Sequence, residues 1–401
     1  MKVSGIICEY NPFHNGHLHH IRETRKNGAT HIVAVMSGNF VQRGDVAVMD
    51  KLERANLAVK SGADLVIELP VQYCLSSAEN YAMGAVHLLN SLGCVNELSF
   101  GSECGDIAKL IKAAEVSEKI KAEKSEEILR IMKMGYTYPR ALSSVIKGID
   151  PEVSEIVSSP NNTLAIEYLR ALKGTSSKMV PFTVKRESVE HDSPYPSGEF
   201  ASASWIRERL STNSLSVAAA IRYMPEVWVE ALTRAKREGK LASLENLERV
   251  MLYKLRSSSP AEIANVYDVA QGLEHRIYDA RNSGSLDELL FNVKNKRYTM
   301  ARVKRILLSL LVGITKEDMK VLPPYGRILG INFRGTDILG MAKKNASIPF
   351  DTSIKKLGGM SPAAKRFADL EIQASDLFGL ALSTLGSAES DYRAKISIDM
   401  E

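Results

Sequence analysis

Short apolar runs rich in β-branched residues recur along the first half of the chain, at residues 3–8, 31–36, 64–69, 95–100 and 179–185. Between them apolar positions recur at spacings of three and four, which predicts helices at 18–26, 50–61, 78–91 and 162–172, with Gly28 stopping the first. A longer, highly charged helical stretch, 106–142, falls between the fourth and fifth strands as an insertion or lid on the sheet. Strands alternating with helices give a parallel sheet with crossover helices, so residues 1–210 read as an α/β, doubly wound domain. After residue 200 strand patterns nearly vanish. Helical spacing continues at 204–210, 217–222, 225–238, 244–255, 261–268, 272–280 and 285–293. This predicts a mainly helical C-terminal domain, residues 211–401, joined through the Ser-rich stretch 211–216.

Composition agrees with two domains. The 401 residues are 45% hydrophobic and 25% charged, enough for a large core and too many for one ordinary domain. The apolar run at the N-terminus is too short for a signal peptide, and charges interrupt every later run before membrane-spanning length. A cytoplasmic protein without membrane contact is therefore expected, and no protein partner is implied. Cys8, Cys74, Cys94 and Cys104 lack the spacing of a zinc knuckle or redox motif, so they read as reduced thiols, with Cys94, Cys104 and His191 the weaker metal alternative.

Charge changes the picture more. The net +5 hides an asymmetry: residues 201–401 carry 30 Lys and Arg against 23 Asp and Glu, whereas the first 200 carry 22 against 24. From 291 to 345 the balance is 12 to 3, a run that includes Lys294, Lys296, Arg297, Arg302, Lys304 and Arg305. Such a concentration suits a polyanion; its plain alternative is a solvated helix face.

Candidate chemistry sits at the end of the first strand, where Glu9-Tyr10-Asn11-Pro12-Phe13-His14-Asn15-Gly16-His17 runs into the first crossover helix. That is the ligand-binding edge of a doubly wound sheet, and a helix start there offers N–H groups to phosphate. His14 and His17, three residues apart, share a helix face and can donate together to a phosphate that gains charge. Gly16 lets a base or backbone approach closely. Neither a Walker A motif nor G-x-G-x-x-G is present. A second helix start, Ser202-Ala203-Ser204-Trp205-Ile206-Arg207, has the hydroxyls and guanidinium of a phosphate clamp, although taken alone it reads first as an N-cap followed by an exposed arginine.

The HxGH element and this second helix start resemble the HxGH nucleotidyltransferase superfamily, although Ala203 stands where its ISSTxxR-like motif has the second serine. Within it, YNPFHNGHLHH at 10–20, SGNFVQRG at 37–44, FGSE at 100–103, SPNNTLAIEYL at 159–169, VKRE at 184–187, SASWIR at 202–207 and KRYTMARVKRILL at 296–308 are similar to the bacterial tRNA(Met) cytidine acetate ligase family, in the same order. The resemblance implies a Rossmann-like sheet that binds ATP, with His14 and His17 catalytic. ATP would be held by Ile7, Cys8, Glu9, Tyr10, Asn11, Pro12, Phe13, His14, Asn15, Gly16, His17, Leu18, His19 and His20. Gly101 would lie by the nucleotide, Asn161 and Asn162 on the adenosine side, and Lys185 and Arg186 would supply cations. Ser202, Ser204 and Arg207 would close over pyrophosphate. The implied reaction makes acetyl-adenylate from acetate and ATP, then acetylates the wobble cytidine of elongator tRNA(Met).

Lys294, Lys296, Arg297, Tyr298, Arg302, Lys304 and Arg305 are the expected tRNA contacts, Tyr298 and Arg297 by stacking on a splayed base. Gln42 and Arg43 would face acetate or the base, or form a surface loop. No metal-ligand spacing is visible; Mg²⁺ would come with ATP, and Glu9 and Asp45 could help hold it. Two other functions remain open on sequence: a small-molecule adenylyltransferase of coenzyme synthesis, and a non-catalytic RNA-binding protein.

Overall fold

The computed structural model describes residues 1–186, 196, 198–211, 220–270 and 272–399. Glu187, His191 and most of the expected connection, 212–216, lie outside them, as do residues 217–219.

The predicted strands form: β1 (Val3–Cys8), β2 (His31–Ser37), β5 (Leu65–Leu69), β6 (Glu97–Ser102) and β7 (Val180–Lys185), with a small hairpin, β3 (Phe40–Val41) and β4 (Asp45–Val46), after β2. They pair in parallel in the order β5-β2-β1-β6-β7. Alternate residues enter different cores. Val33 and Val35 of β2 pack with the helices on one face, and Ile32, Ala34 and Met36 with those on the other. Both faces are thus apolar, as a doubly wound sheet requires.

The crossover helices also match: Asn15–Lys26, Lys51–Lys60, Ala78–Ser91 and Pro160–Gly174. The first starts three residues earlier than periodicity placed it, because His14 is the cap. The charged insertion is a packed bundle of Ile107–Glu123, Ser125–Lys133, Tyr138–Lys147 and Pro151–Ser158, burying Leu110, Ile128, Leu142, Ile146 and Val153 in the same core as the sheet.

The expectation that strands nearly vanish after residue 200 is corrected by β8 (Gly326–Asn332), β9 (Phe350–Asp351) and β10 (Ser397–Asp399). β8 pairs antiparallel with β5, and β9 and β10 pair parallel with β8, so the sheet is mixed at that edge. The remaining described chain after residue 220 is mainly helical. Leu247, Leu255, Leu289, Val303, Leu308 and Phe378 lie in its separate apolar core.

A buried ionic cluster ties the sheet edge to this part. Lys51 Nζ lies 2.6 Å from Glu68 Oε1, 2.8 Å from Asp391 Oδ2 and 3.4 Å from Glu371 Oε2, and Arg327 Nη1 lies 3.2 Å from Glu68 and 3.1 Å from Asp391. Burial, then Glu68, raises Glu371 well above the carboxylate range, which favours its protonated form in this cluster. Against burial, Lys51 and Arg327 hold Asp391 well below its usual value.

Candidate functional site

His14, which ends the loop after β1, is extended (φ −142°, ψ 173°) and caps the Asn15–Lys26 helix. Its Nδ1 accepts the Gly16 N–H at 3.1 Å, and His17 Nδ1 accepts the His14 N–H at 3.2 Å. This is a capping box in which two imidazoles replace the usual Ser and Glu. With both Nδ1 atoms accepting, each neutral ring carries its proton on Nε2. The rings stack with centroids 3.8 Å apart. Gly16 makes room, since a Cβ there would stand 2.9 Å from His14 Cε1.

The environment keeps these rings neutral. Burial, then the charges of Arg186 and Arg207, pushes His14 down to about 3. Burial, His14, Arg186 and His20 push His17 well below the ordinary imidazole range. Burial, Arg186 and His19 push His20 to about 4, and its Nε2 lies 2.9 Å from Ser99 Oγ. At neutral pH the helix start therefore presents uncharged N–H donors beside fixed cations.

A cavity of about 910 Å³ opens at the C-terminal ends of β1 and β6, where strand order reverses about β1. Such switch points bind ligands. Ile7, Cys8, Glu9, Tyr10, Asn11, His14, Gly16, His17, His19 and His20 line it, with Gly101 from β6 and Lys185 and Arg186 from the end of β7. Asn161 reaches it from the Pro160–Gly174 helix, and Ser202, Ser204 and Arg207 from the start of the Ala203–Ser211 helix. The two helix starts thus meet across one cavity.

Pro12, Phe13, Asn15, Leu18 and Asn162 do not line it; Phe13, Asn15, Leu18 and Asn162 brace it. Phe13 stacks on Trp228 of the Glu226–Arg237 helix, centroids 5.5 Å apart. Asn15 Nδ2 donates to the carbonyls of Glu199 and Arg222 at 3.0 and 2.9 Å. Leu18 packs on the core under its helix. Asn162 Oδ1 accepts the Cys104 N–H at 3.0 Å, while Glu103 accepts the N–H groups of Asn161 and Asn162 at 3.1 and 2.8 Å. Glu103 therefore fills that helix N-terminus and turns Asn161 toward Arg186, whose Nη1 donates to Asn161 Oδ1 at 3.3 Å.

Sequence reasoning missed Arg54 and Trp228. Arg54 is fully buried and donates to the carbonyls of Glu9 at 2.6 Å, Met49 at 3.0 Å and Ser37 at 3.1 Å, and to that of Gly38, tying the ends of β1 and β2 together. Its only sequence signal is a cation amid the apolar positions of a crossover helix. Arg207 Nη1 donates to the Asn11 carbonyl at 2.6 Å, joining the two helix starts. No local pattern marks Trp228.

The outer wall comes from the C-terminal half. Thr299, Met300, Ala301 and Lys304, on and just before the Met300–Val312 helix, line the cavity, facing Gln42, Arg43 and Asp45 at the β3–β4 hairpin. Gly44 at φ +73° lets the hairpin tip lie on this helix: a Cβ would stand 2.7 Å from Arg305 N and Lys304 Cβ and 2.8 Å from Ala301 O. Arg305 Nη1 also donates to the Gln42 carbonyl at 3.0 Å.

The basic residues do not act as one surface. Arg302 and Arg305 reach Asp268 at 2.9 and 3.8 Å, and the Arg302 guanidinium sits over the Tyr298 ring at 5.1 Å. Lys294, Lys296 and Arg297 are exposed. Arg327, counted in the same positive run, is buried in the ionic cluster.

All four cysteines are free thiols, Cys8 and Cys74 buried and Cys94 and Cys104 half-buried. For a divalent ion, Glu9 and Asp45 offer hard oxygen donors on the cavity wall, although Glu9 Oε1 accepts the Gln42 N–H at 2.8 Å and Asp45 Oδ1 the Val46 N–H at 2.9 Å. Among the described residues no group of three or more His, Cys, Asp or Glu gathers as a metal cage. The donors present fit Mg²⁺ held largely by a ligand's oxygens and water. Among the described residues, no helix is long and apolar enough to cross a membrane.

This architecture has close relatives. A family model for HIGH Nucleotidyl Transferase matches residues 1–392. The tRNA(Met) cytidine acetate ligase of Caldanaerobacter subterraneus subsp. tengcongensis is 39% identical over 399 residues, 98% of each chain. That of Acetivibrio thermocellus is 40% identical over 396 residues, 94% of each. A crystal structure of Thermotoga maritima TmcAL bound with alpha-thio ATP aligns over 100% of both chains with a TM-score of 0.91 and 30% identity. The chain belongs to the HIGH nucleotidyl transferase family and, within it, to the family of the tRNA(Met) cytidine acetate ligases.

Proposed function

We propose that this chain is a cytoplasmic, ATP-dependent ligase that acetylates the N4 amine of the wobble cytidine of elongator tRNA(Met), with acetate as acyl source. The observation that carries the reading is the pair of neutral, stacked imidazoles at the helix start, in a cavity whose outer wall comes from the basic C-terminal half. Membership of the acetate ligase family, whose solved Thermotoga relative binds alpha-thio ATP, supports it.

Acetate is a poor acyl donor because oxide would have to leave. An acetate oxygen therefore attacks the α-phosphorus of ATP, the bond to the β-phosphate oxygen breaks, and pyrophosphate departs with the electron pair. His14 and His17 donate Nε2–H to oxygens that gain charge in this step. As uncharged donors, they need give up no proton to water to work at neutral pH. Lys185, Arg186 and Arg207 offset the triphosphate charge, and the hydroxyls of Ser202 and Ser204 hold the leaving group at the second helix start. Gly101, where a Cβ would meet little but the Arg186 stem, gives the nucleotide a flat approach, with Asn161 held beside it by Glu103. Mg²⁺ bound with ATP would add charge neutralisation next to Glu9 and Asp45.

AMP is then the leaving group. The cytidine N4 amine attacks the acetyl carbonyl, forming the C–N bond as the carbonyl–phosphate bond breaks, with AMP and one proton released. No covalent enzyme intermediate is needed, and burial pushes the Cys8 thiol far above its ordinary range, which removes it as a nucleophile. Catalysis is positioning and charge stabilisation.

In this reading residues 1–210 handle the nucleotide and 211–401 the tRNA, with Lys304 reaching the shared cavity. The test is to incubate the protein with ATP, labelled acetate and bulk tRNA, digest the RNA and identify nucleosides by mass spectrometry. Labelled N4-acetylcytidine is expected. Its absence with folded protein and intact tRNA would overturn the reading, and pyrophosphate release dependent on another acceptor would favour a small-molecule adenylyltransferase.

A further inference from the structure

A second concavity, of about 590 Å³, lies where the turn after the Ser125–Lys133 helix meets the turn before the Met300–Val312 helix. Lys133, Arg276, Lys296 and Arg297 line it and are all exposed, and no acidic side chain does so among the described residues. The two turns are fitted to each other. Gly135, at φ +98°, lies against the stem of Lys296, whose Cβ and Cδ would be 3.4 and 3.5 Å from a Cβ there. Arg297 Nη2 donates to the Lys133 carbonyl at 3.4 Å. The insertion that sequence left as a possible lid thus joins the basic segment to form one wall.

The groove and the reaction cavity share a strip of chain. Asn295, Lys296, Arg297 and Tyr298 line the groove, and the next residues, Thr299, Met300, Ala301 and Lys304, line the cavity. A wobble cytidine lies in a single-stranded loop, so when it turns out of the loop stack into the cavity, unpaired backbone flanks it at the mouth. Four cations without an opposing acid suit that backbone, and the apolar stem of exposed Met134 and the ring of Tyr298 suit base faces.

We propose that this groove is a track for single-stranded RNA flanking the target cytidine, and that the insertion turn, through Lys133, is part of the RNA-binding surface. The proposal rests on the ligase reading but adds a contact from the nucleotide-binding half. It commits to unpaired RNA.

The experiment measures binding of an anticodon stem-loop RNA and of a blunt RNA duplex of equal length, by fluorescence anisotropy over a range of salt. Wild type, Lys133→Glu, Lys296→Gln and the control Lys173→Glu are compared. Lys173 is an exposed lysine on the neighbouring Pro160–Gly174 helix. Thermal midpoints confirm folding; the Lys133 side chain is exposed, so charge reversal leaves the core intact. Lys133→Glu is expected to weaken stem-loop binding about tenfold and lower the salt slope by about one, with Lys173→Glu unchanged. Wild-type affinity and slope for Lys133→Glu would overturn the track, and so would an equal loss on the duplex. If wild-type protein fails to bind the stem-loop while acetylating tRNA, the track falls and the ligase stands; if it neither binds nor acetylates, both fall.

Discussion

Gly44→Ala tests how the two halves of the chain make one site. Gly44 sits at φ +73°, where an L side chain costs about 1–2 kcal/mol. The added Cβ would stand 2.7–2.8 Å from Arg305 N, Lys304 Cβ and Ala301 O, two of them backbone atoms that cannot turn aside. Overpacking of this kind costs a further ~1–3 kcal/mol. The cheapest relief is for the hairpin tip and the Met300–Val312 helix to part by about 0.7 Å, which restores ordinary van der Waals distance. That movement stretches the Arg305–Gln42 hydrogen bond and withdraws Lys304 from the cavity wall. Misplacements near 1 Å cost up to about a hundredfold in rate. We expect acetyl transfer to tRNA to fall ten- to a hundredfold in kcat/KM. Acetate-dependent pyrophosphate exchange, which in this reading uses the ends of β1, β6 and β7 and the start of the Ala203–Ser211 helix rather than Lys304, should fall less than about threefold. Both rates are read by isotope assays on one preparation, with the thermal midpoint lowered. Full transfer activity at an unchanged midpoint would refute the docking argument, and an equal loss of exchange and transfer would show that the helix serves the nucleotide step.

Three further outcomes follow from the same geometry. Because the fold holds His14 near 3 and His20 near 4 against 6.5 in the unfolded chain, their stabilisation is complete above pH 6.5 and is lost as pH falls toward those values, at up to about 1.4 kcal/mol per pH unit for each group; urea midpoints of His20→Gln should fall less steeply than wild type between pH 6 and 4.5, and parallel curves would contradict this. Glu371→Gln keeps the charge balance of the buried cluster and should cost about 1 kcal/mol or less, whereas Lys51→Met strands buried carboxylates and should cost about 3–5 kcal/mol; equal losses in urea unfolding would show that Glu371 is ionised. Lys304→Gln should raise KM for tRNA and lower the salt slope by about one without altering KM for ATP more than about twofold, measured by acetylation kinetics.

Much of the fold and the nucleotide side of the site was legible in the sequence because local rules governed both. Alternation and β-branching marked the five parallel strands, and two imidazoles beside a glycine marked the cavity floor. The first helix was placed three residues late because imidazoles serve as its cap, where the usual signal is Ser or Asp. β8 escaped because Gly330 breaks its apolar run, basic residues surround it, and its partner β5 lies more than 250 residues earlier in the chain. Gly330 has its own reason: a Cβ there would stand 3.2 Å from Val59 and 3.3 Å from the Ala55 carbonyl. Charge counting also had a physical limit. Arg302 and Arg305 pair with Asp268, more than 30 residues away, and Arg327 is buried, so three of the twelve positive residues in the basic run are taken up inside the protein. Arg54 and Trp228, which brace the His14 loop, do so by contacts that only the tertiary fold creates.

Whether paired neutral imidazoles after β1 promote attack of acetate on ATP is read by exchange of labelled pyrophosphate into ATP without RNA. Exchange should require acetate, persist from pH 8 down to about 6, and be abolished by His14→Ala or His17→Ala while affinity for tRNA stays within about twofold. Exchange that ignores acetate, or that survives either substitution in folded protein, would contradict that role.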